Sequence, residues 1–211
     1  MSKKKNLCTV CRRVSQKLFL KGEKCVSPKC SMIKKPYAPG MKSKKRRGGI
    51  SDYKKELMEK QKMKEFYGIS EKQFKSYVKA VLKRRGKVED AALELVKKLE
   101  KRLDNIIFRL GFASSRAQSR QLISHGYFLI NKRPVNISSR QIKKNDLISL
   151  KERKKEKPIF KEIVSTLKKK ECPSWLKLDK EMFCGEIIAE PSFESAGIPA
   201  EISSVFEFYS K

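Results

Sequence analysis

The stretch Arg102-Leu103-Asp104-Asn105-Ile106-Ile107-Phe108-Arg109-Leu110-Gly111-Phe112-Ala113-Ser114-Ser115-Arg116-Ala117-Gln118-Ser119-Arg120-Gln121-Leu122-Ile123-Ser124-His125-Gly126 decides the fold. Leading into it, Ala92, Val96, Leu99, Leu103, Ile106 and Leu110 step by four and three in alternation. That spacing lays one apolar stripe along a helix that starts near Glu89. The stripe is core, and Lys97, Lys98, Lys101, Arg102 and Arg109 are left on the opposite face. Gly111 stops the helix, Ser115 with Gln118 starts another, and His125-Gly126 closes it. Tyr127 to Ile130 and Leu147 to Leu150 then read as short strands, with Asn131-Lys132 and Asn145-Asp146 as turn material.

Upstream, Ser51 is placed to cap a helix running from Asp52 past Phe66 and Tyr67 to Gly68. Ser70 and Gln73 fit a capping box for a second helix through Tyr77, Val78, Val81 and Leu82 to Gly86. Downstream, Lys151 to Lys157 reads as a charged connection before a helix from Pro158 toward Lys170. No internal repeat is present.

The charge balance narrows the partner. The 211 residues carry 52 Lys and Arg against 23 Asp and Glu, a formal charge of +29. Such an excess repels itself in a compact state unless a polyanion neutralises it, so nucleic acid is the expected partner. With 39% hydrophobic residues the chain still has material for folded cores. A membrane role is disfavoured, because no run of about 18 apolar residues exists to span a bilayer. The basic start Met1 to Leu7 lacks the apolar region of a secretory signal, and a reducing cytoplasm is the expected compartment.

Charge is also unevenly spread. Between Glu23 and Asp52 there is no acidic residue, while Lys42, Lys44, Lys45, Arg46 and Arg47 gather among Pro and Gly as an extended basic arm suited to a phosphate backbone. The tail reverses this, with seven acidic residues against two lysines from Asp179 to Lys211. Its Val205, Phe206, Phe208 and Tyr209 supply apolar contact, either with the basic body or with a protein neighbour.

Cys8, Cys11, Cys25 and Cys30 form two short pairs at the spacing of a four-thiolate zinc site. One structural Zn2+ is expected, because a segment this short gains its fold from the metal. Redox pairs or disulfides are the competing reading, set against the expected reducing compartment. A catalytic zinc is disfavoured, since such sites often use histidine and His125 lies far along the chain. Cys172 and Cys184 are expected to be packing residues.

The segment Arg102 to Gly126 resembles the small RNA-binding module named after ribosomal protein S-four. Arg46-Arg47, Ser51-Asp52-Tyr53, Glu59-Lys60-Gln61-Lys62, Tyr67-Gly68-Ile69 and Glu71-Lys72-Gln73-Phe74 resemble the helical first domain of the bacterial small-subunit ribosomal protein S-four family. Pro173-Ser174-Trp175-Leu176 and Glu207-Phe208-Tyr209-Ser210-Lys211 resemble that family's end, so the resemblance covers nearly the whole chain in order. The cysteine cluster resembles the members that keep a zinc site.

This resemblance implies an α+β, mostly helical chain. A zinc-binding segment and basic arm would fill residues 1–45, and a helical domain residues 46–100, joined by the tail 190–211. Residues 101–189 would form the RNA-binding module, two helices on a short-stranded antiparallel sheet, with a C-terminal extension. The implied function is structural and not enzymatic. The protein would bind small-subunit ribosomal RNA as a primary binder, hold a multi-helix junction of the 5′ domain, nucleate subunit assembly and contribute to translational accuracy. Implied partners are the subunit's protein five and messenger RNA near the entry channel, in the cytoplasmic small subunit, with no small-molecule substrate. By the same resemblance, the module's RNA face includes Arg102, Arg109, Ser114, Ser115, Arg116, Gln118, Ser119, Arg120, His125, Asn131, Lys132 and Arg133. Lys44, Lys45, Arg46, Arg47, Tyr53, Lys60, Lys72 and Gln73 add a second surface.

Residue physics supports the helix pair, because Arg116 and Arg120 are four apart on one helical face and can meet successive phosphates. The hairpin departs from the family, with Asn131-Lys132 where Asn-Gly is usual. A tight turn needing positive φ at its second position is therefore less comfortable, whereas Asn145 tolerates the left-handed region.

Two other functions were weighed. An RNA-modifying enzyme needs a separate catalytic domain, and the residues outside the module are used up by arm, helices and tail. A zinc-bearing DNA regulator predicts base-reading side chains on a helix and dimer symmetry, neither of which the sequence displays.

Overall fold

The computed structural model describes residues 6–40, 49–84, 90–155, 157, 160, 167 and 172–210. The described helices are α1 (Leu7–Val14), α2 (Glu23–Val26), α3 (Ser31–Lys34), α4 (Asp52–Tyr67), α5 (Glu71–Leu82), α6 (Ala91–Glu100), α7 (Leu103–Leu110), α8 (Arg116–Ser124), α9 (Glu152–Lys155), α10 (Phe193–Ala196) and α11 (Ile202–Ser210). The strands are β1 (Phe128–Ile130), β2 (Arg133–Pro134), β3 (Leu147–Leu150), β4 (Leu176–Asp179) and β5 (Cys184–Ile187). The helix expected from Pro158 toward Lys170 lies outside the described residues, apart from Phe160 and Leu167, which are buried. No described helix is long and apolar enough to cross a membrane.

The chain divides into two compact units, Met1–Ala92 with Ile198–Lys211, and Leu93–Gly197. In the first, α4 is too rich in charge to show a clean apolar face, yet it buries Met63 and Tyr67 together with Lys60 and Glu65. Helix α11 packs on α4 and α5. Its Ile202 and Val205 are buried, and Phe208 and Tyr209 lie 5.6 Å from Tyr53 and 6.1 Å from Phe74. Ser51 occupies the cap position of α4 without a side-chain cap bond. The capping box expected for α5 is half formed: Ser70 accepts the Gln73 N–H at 3.3 Å, while the Gln73 amide turns to Tyr77 at 3.5 Å.

In the second unit a five-stranded antiparallel sheet has the order β2-β1-β3-β5-β4. Helices α7 and α8 pack together, and Leu103, Ile106, Ile107 and Leu110 of α7 share one core with Leu122 and Ile123 of α8 and with Phe128, Ile130, Ile148 and Ile187 of the sheet. Gly185 in β5 makes this approach possible, since a Cβ there would lie 2.4 Å from Leu110 Cδ1. Cys172 packs against this core, whereas Cys184, expected to pack likewise, is half-exposed in β5.

The apolar stripe from Ala92 to Leu110 is not one helix. Arg102 is extended (φ −70°, ψ 137°) between α6 and α7. There the backbone bonds outward to a neighbouring segment: Leu103 N–H to Arg140 O at 2.9 Å, Asp104 N–H to Ser138 O at 3.1 Å, and Ile142 N–H to Lys101 O at 2.9 Å. Periodicity survives the break because both helices face the same core, so the sequence pattern alone conceals it.

The hairpin keeps its tight turn. Ile130 pairs with Arg133, leaving Asn131 (φ 49°) and Lys132 (φ 66°) as a two-residue loop with positive φ at both positions. Lys132 thus accepts the left-handed conformation that the sequence reading found uncomfortable. The neighbouring Asn131 explains how: its Oδ1 accepts the Leu147 N–H at 3.0 Å and its Nδ2 donates to Asp146 Oδ1 at 2.8 Å, pinning the loop to the next strand.

Candidate nucleic-acid interface

The helix pair α7–α8 carries four of the expected RNA-facing arginines, and most of them turn inward. Asp104, 1% exposed, accepts Arg102 Nε at 3.1 Å, Arg102 Nη2 at 3.0 Å and Arg120 Nε at 2.7 Å. Asn105 beside it accepts Arg116 Nε at 2.8 Å on Oδ1 and donates from Nδ2 to Glu100 Oε2 at 2.7 Å. Glu100, fully buried, in turn accepts Arg109 Nε at 3.1 Å and Nη2 at 3.0 Å. The Arg116 guanidinium also lies 4.6 Å over the Phe108 ring. Arg102 and Arg116 are therefore buried and Arg109 mostly so, and the outward face predicted for them is corrected to an inward one. The cause is local, because a carboxylate in a low-dielectric site gathers every guanidinium within reach.

Arg116 and Arg120 do share a helical face, as their spacing requires, but that face looks onto α7. Of the two only Arg120 reaches solvent, with 29% of its side chain exposed. Ser115 caps α8 by accepting the Gln118 N–H at 3.3 Å, and Ser119 is fully buried with its Oγ on the Ser115 carbonyl. Both serve the helix rather than its surface. Ser114 is exposed and held by Gln118 Oε1 through its N–H and hydroxyl at 2.7 and 2.8 Å. His125 is exposed and stacks on Tyr127 at 6.5 Å. Beyond it, Lys132 and Arg133 are exposed at the hairpin tip, and Arg140, Lys143 and Lys144 are exposed further on. The solvent face of this unit thus presents Ser114, Gln118, Arg120, His125 and the hairpin cations, a set suited to phosphate and sugar contact.

The other unit splits the expected second surface. Lys60 is 5% exposed, bonds Glu71 Oε1 at 2.8 Å and lies 4.4 Å over the Phe208 ring, so it is an interior cation rather than a surface one. Burial of Glu71 opposes ionisation, but bonds from Lys60, Tyr209 and Lys64 outweigh it and bring its carboxyl down to about 2. Tyr209 is pushed up from its ordinary value, by burial first and then by Glu71. Tyr53 and Lys72 are exposed and Gln73 half-buried. Lys44, Lys45, Arg46 and Arg47 lie outside the described residues.

All four N-terminal cysteines are free thiols that line one pocket. The Lys21 N–H donates to Cys25 Sγ at 3.3 Å. Burial raises the Cys11 thiol, a backbone hydrogen bond at Leu18 opposes this, and negative charge on Cys25, Cys8 and Cys30 raises it further. Four soft donors thus converge, as a tetrathiolate ion site needs. Among the described residues, however, no three His, Cys, Asp or Glu side chains stand close enough to hold an ion, so the zinc-bound N-terminus is not supported by this geometry.

Sequence reading missed Glu100, Asp104 and Asn105 as organising residues. Their signal was available: acidic and amide groups on an otherwise apolar and cationic pair of helices are costly unless several donors satisfy them.

Comparison with known proteins gives the lineage. Residues 2–100 match the ribosomal protein S4/S9 N-terminal domain, and residues 101–148 match the S4 domain. The small ribosomal subunit protein uS4 of Kosmotoga olearia is 41% identical over 205 residues, 97% of each chain. Those of Caldicellulosiruptor saccharolyticus and Thermotoga petrophila are 43% and 39% identical, each covering 97% of this chain and 96% and 97% of their own. With this identity sustained along nearly its full length, the chain belongs to the uS4 family of ribosomal proteins.

Proposed function

We propose that this protein is a structural, RNA-binding constituent of the small ribosomal subunit, with no catalytic task. The observation that carries this is the match of 97% of the chain to relatives named small ribosomal subunit protein uS4. Geometry is consistent with it: the α8 surface and the hairpin tip bring hydroxyl, amide and cationic groups onto one unit. Such groups bind by neutralising phosphates and by reaching sugar hydroxyls, the mode suited to A-form RNA, whose deep groove side chains do not read. In the finer reading, the protein binds early, holds a multi-helix junction of the 5′ domain and nucleates assembly. In the mature cytoplasmic subunit it lies beside protein five and the messenger entry channel and contributes to accuracy.

The test is binding of the purified protein to a 5′-domain fragment of small-subunit ribosomal RNA, with transfer RNA and duplex DNA in excess. Saturable one-to-one binding that survives both competitors is expected, with affinity falling steeply as salt rises. Binding erased by either competitor would leave only a polycation.

The proposal includes one structural Zn2+ held by Cys8, Cys11, Cys25 and Cys30. What supports it is the convergence of four thiols on one pocket, with a backbone donor already on Cys25. When bound, the ion would cross-link α1 to the α2–α3 segment and would do no chemistry on RNA. Elemental analysis should find one zinc per chain, lost on Cys8→Ser with Cys11→Ser; retention in that variant would remove the site.

A further inference from the structure

The charged groups between α6, α7 and α8 do not balance. Asp104 and Glu100 are the two carboxylates, and Arg102, Arg109, Arg116 and Arg120 are the four guanidiniums they organise, directly or through Asn105. Were the cluster built for stability alone, an excess of two positive charges inside a folded unit would be a poor solution, since like charges repel strongly where water is scarce. The excess suits a unit that meets an anion. Arg120 is where that anion has access: its Nε is fixed 2.7 Å from Asp104, and 29% of its side chain is open to solvent. Asp104 is itself fixed, by two bonds from Arg102 and by the Asn105 N–H at 2.9 Å.

We infer that Asp104 is a positioning residue for RNA recognition, a buried carboxylate that presets Arg120 for a phosphate. This rests on the RNA-binding reading above and deepens it. Asp104 touches no RNA in this account. It orders the Arg120 side chain at folding, so that the ordering is already complete when RNA arrives, and it separates Arg120 from Arg102, whose repulsion would otherwise swing the exposed guanidinium away.

The sign of the effect makes the inference testable. Asp104→Asn removes a negative charge and keeps the shape, so attraction between a polycation and RNA would tighten binding. Positioning requires the opposite. In titrations of the full chain against the 5′-domain RNA fragment, Asp104→Asn should weaken binding about tenfold, and the slope of log K against log salt should fall by about one, the loss of one phosphate contact. A purely structural Asp104 would lower thermal stability and leave the affinity and salt slope of the folded protein unchanged. Arg120→Gln, on the surface, secures the test if Asp104→Asn fails to fold: it should reproduce the tenfold loss and the reduced slope, and where both variants fold, adding Asp104→Asn to it should change little further. Unchanged or tighter binding by folded Asp104→Asn, or unchanged binding by Arg120→Gln, overturns the inference while wild-type binding stands. Failure of the wild type against the competitors overturns the RNA reading together with the inference.

Discussion

The arginine cluster and the hairpin tip lie in one unit and are written in the same cationic residues, yet they spend them differently. Around Asp104 and Glu100, four arginines are drawn onto buried acceptors and only Arg120 keeps substantial contact with solvent. At Asn131-Lys132-Arg133 the turn is fixed by the Asn131 amide, and both cations stay outside. A count of lysines and arginines therefore overstates the charge available to RNA. Buried carboxylates decide which cations are structural.

If that division is right, the largest effect comes from emptying the cluster. Glu100→Ala leaves Arg109 without its buried carboxylate and should destabilise the second unit by about 3–5 kcal/mol, the usual result of breaking a buried ion pair from one side. Chemical denaturation measures it, and a loss under about 1 kcal/mol would mean water reaches the site freely, as for a surface pair.

At the hairpin the expectation is reversed. Lys132→Ala with Arg133→Ala should leave the melting temperature nearly unchanged, weaken RNA binding and lower the salt slope by about two, one for each phosphate contact removed. An unchanged slope would move the interface elsewhere.

The same contrast extends to the first unit, where Lys60 is consumed by Glu71. The Glu71 carboxyl, ordinarily at 4.5, lies at about 2 in the folded protein, so the unfolded chain takes up its proton first as pH falls. The stabilisation is complete above about 4.5 and is lost as pH drops toward 2, with solvent access to Glu71 limiting its size. Glu71→Gln should flatten that part of an acid-unfolding curve, and an identical slope for variant and wild type would show that Lys60 does not depend on Glu71.

The smallest effect is at the turn. Lys132→Gly relieves a left-handed side chain but frees the unfolded backbone, for a net gain below about 1 kcal/mol. A loss on thermal unfolding would mean the Lys132 side chain itself holds the hairpin.

Elements with local signals were legible in the sequence. Gly111 ends α7 in the left-handed region, and Ser115 caps α8 through its hydroxyl. The strands at 128–130 and 147–150 follow their apolar runs. What escaped was non-local. The break at Arg102 is imposed by the segment 138–142, and Arg133-Pro134, Leu176–Asp179 and Cys184–Ile187 become strands because an edge was waiting for them. Lys60 reads as a surface cation on a polar helix until Phe208 and Tyr209 arrive from more than a hundred residues away.

By itself, then, the sequence determined the polyanion partner, the helix and turn boundaries written in glycine and serine, and the family to which the chain belongs. Net charge, caps and motif order are properties of residues and their near neighbours, and they survive without a fold. Tertiary structure alone decided which arginines face outward, that Lys60 is interior, and that Asp104 and Glu100 organise the helix pair. Those outcomes depend on burial, and burial is set by segments distant in the chain that come together only when the core forms.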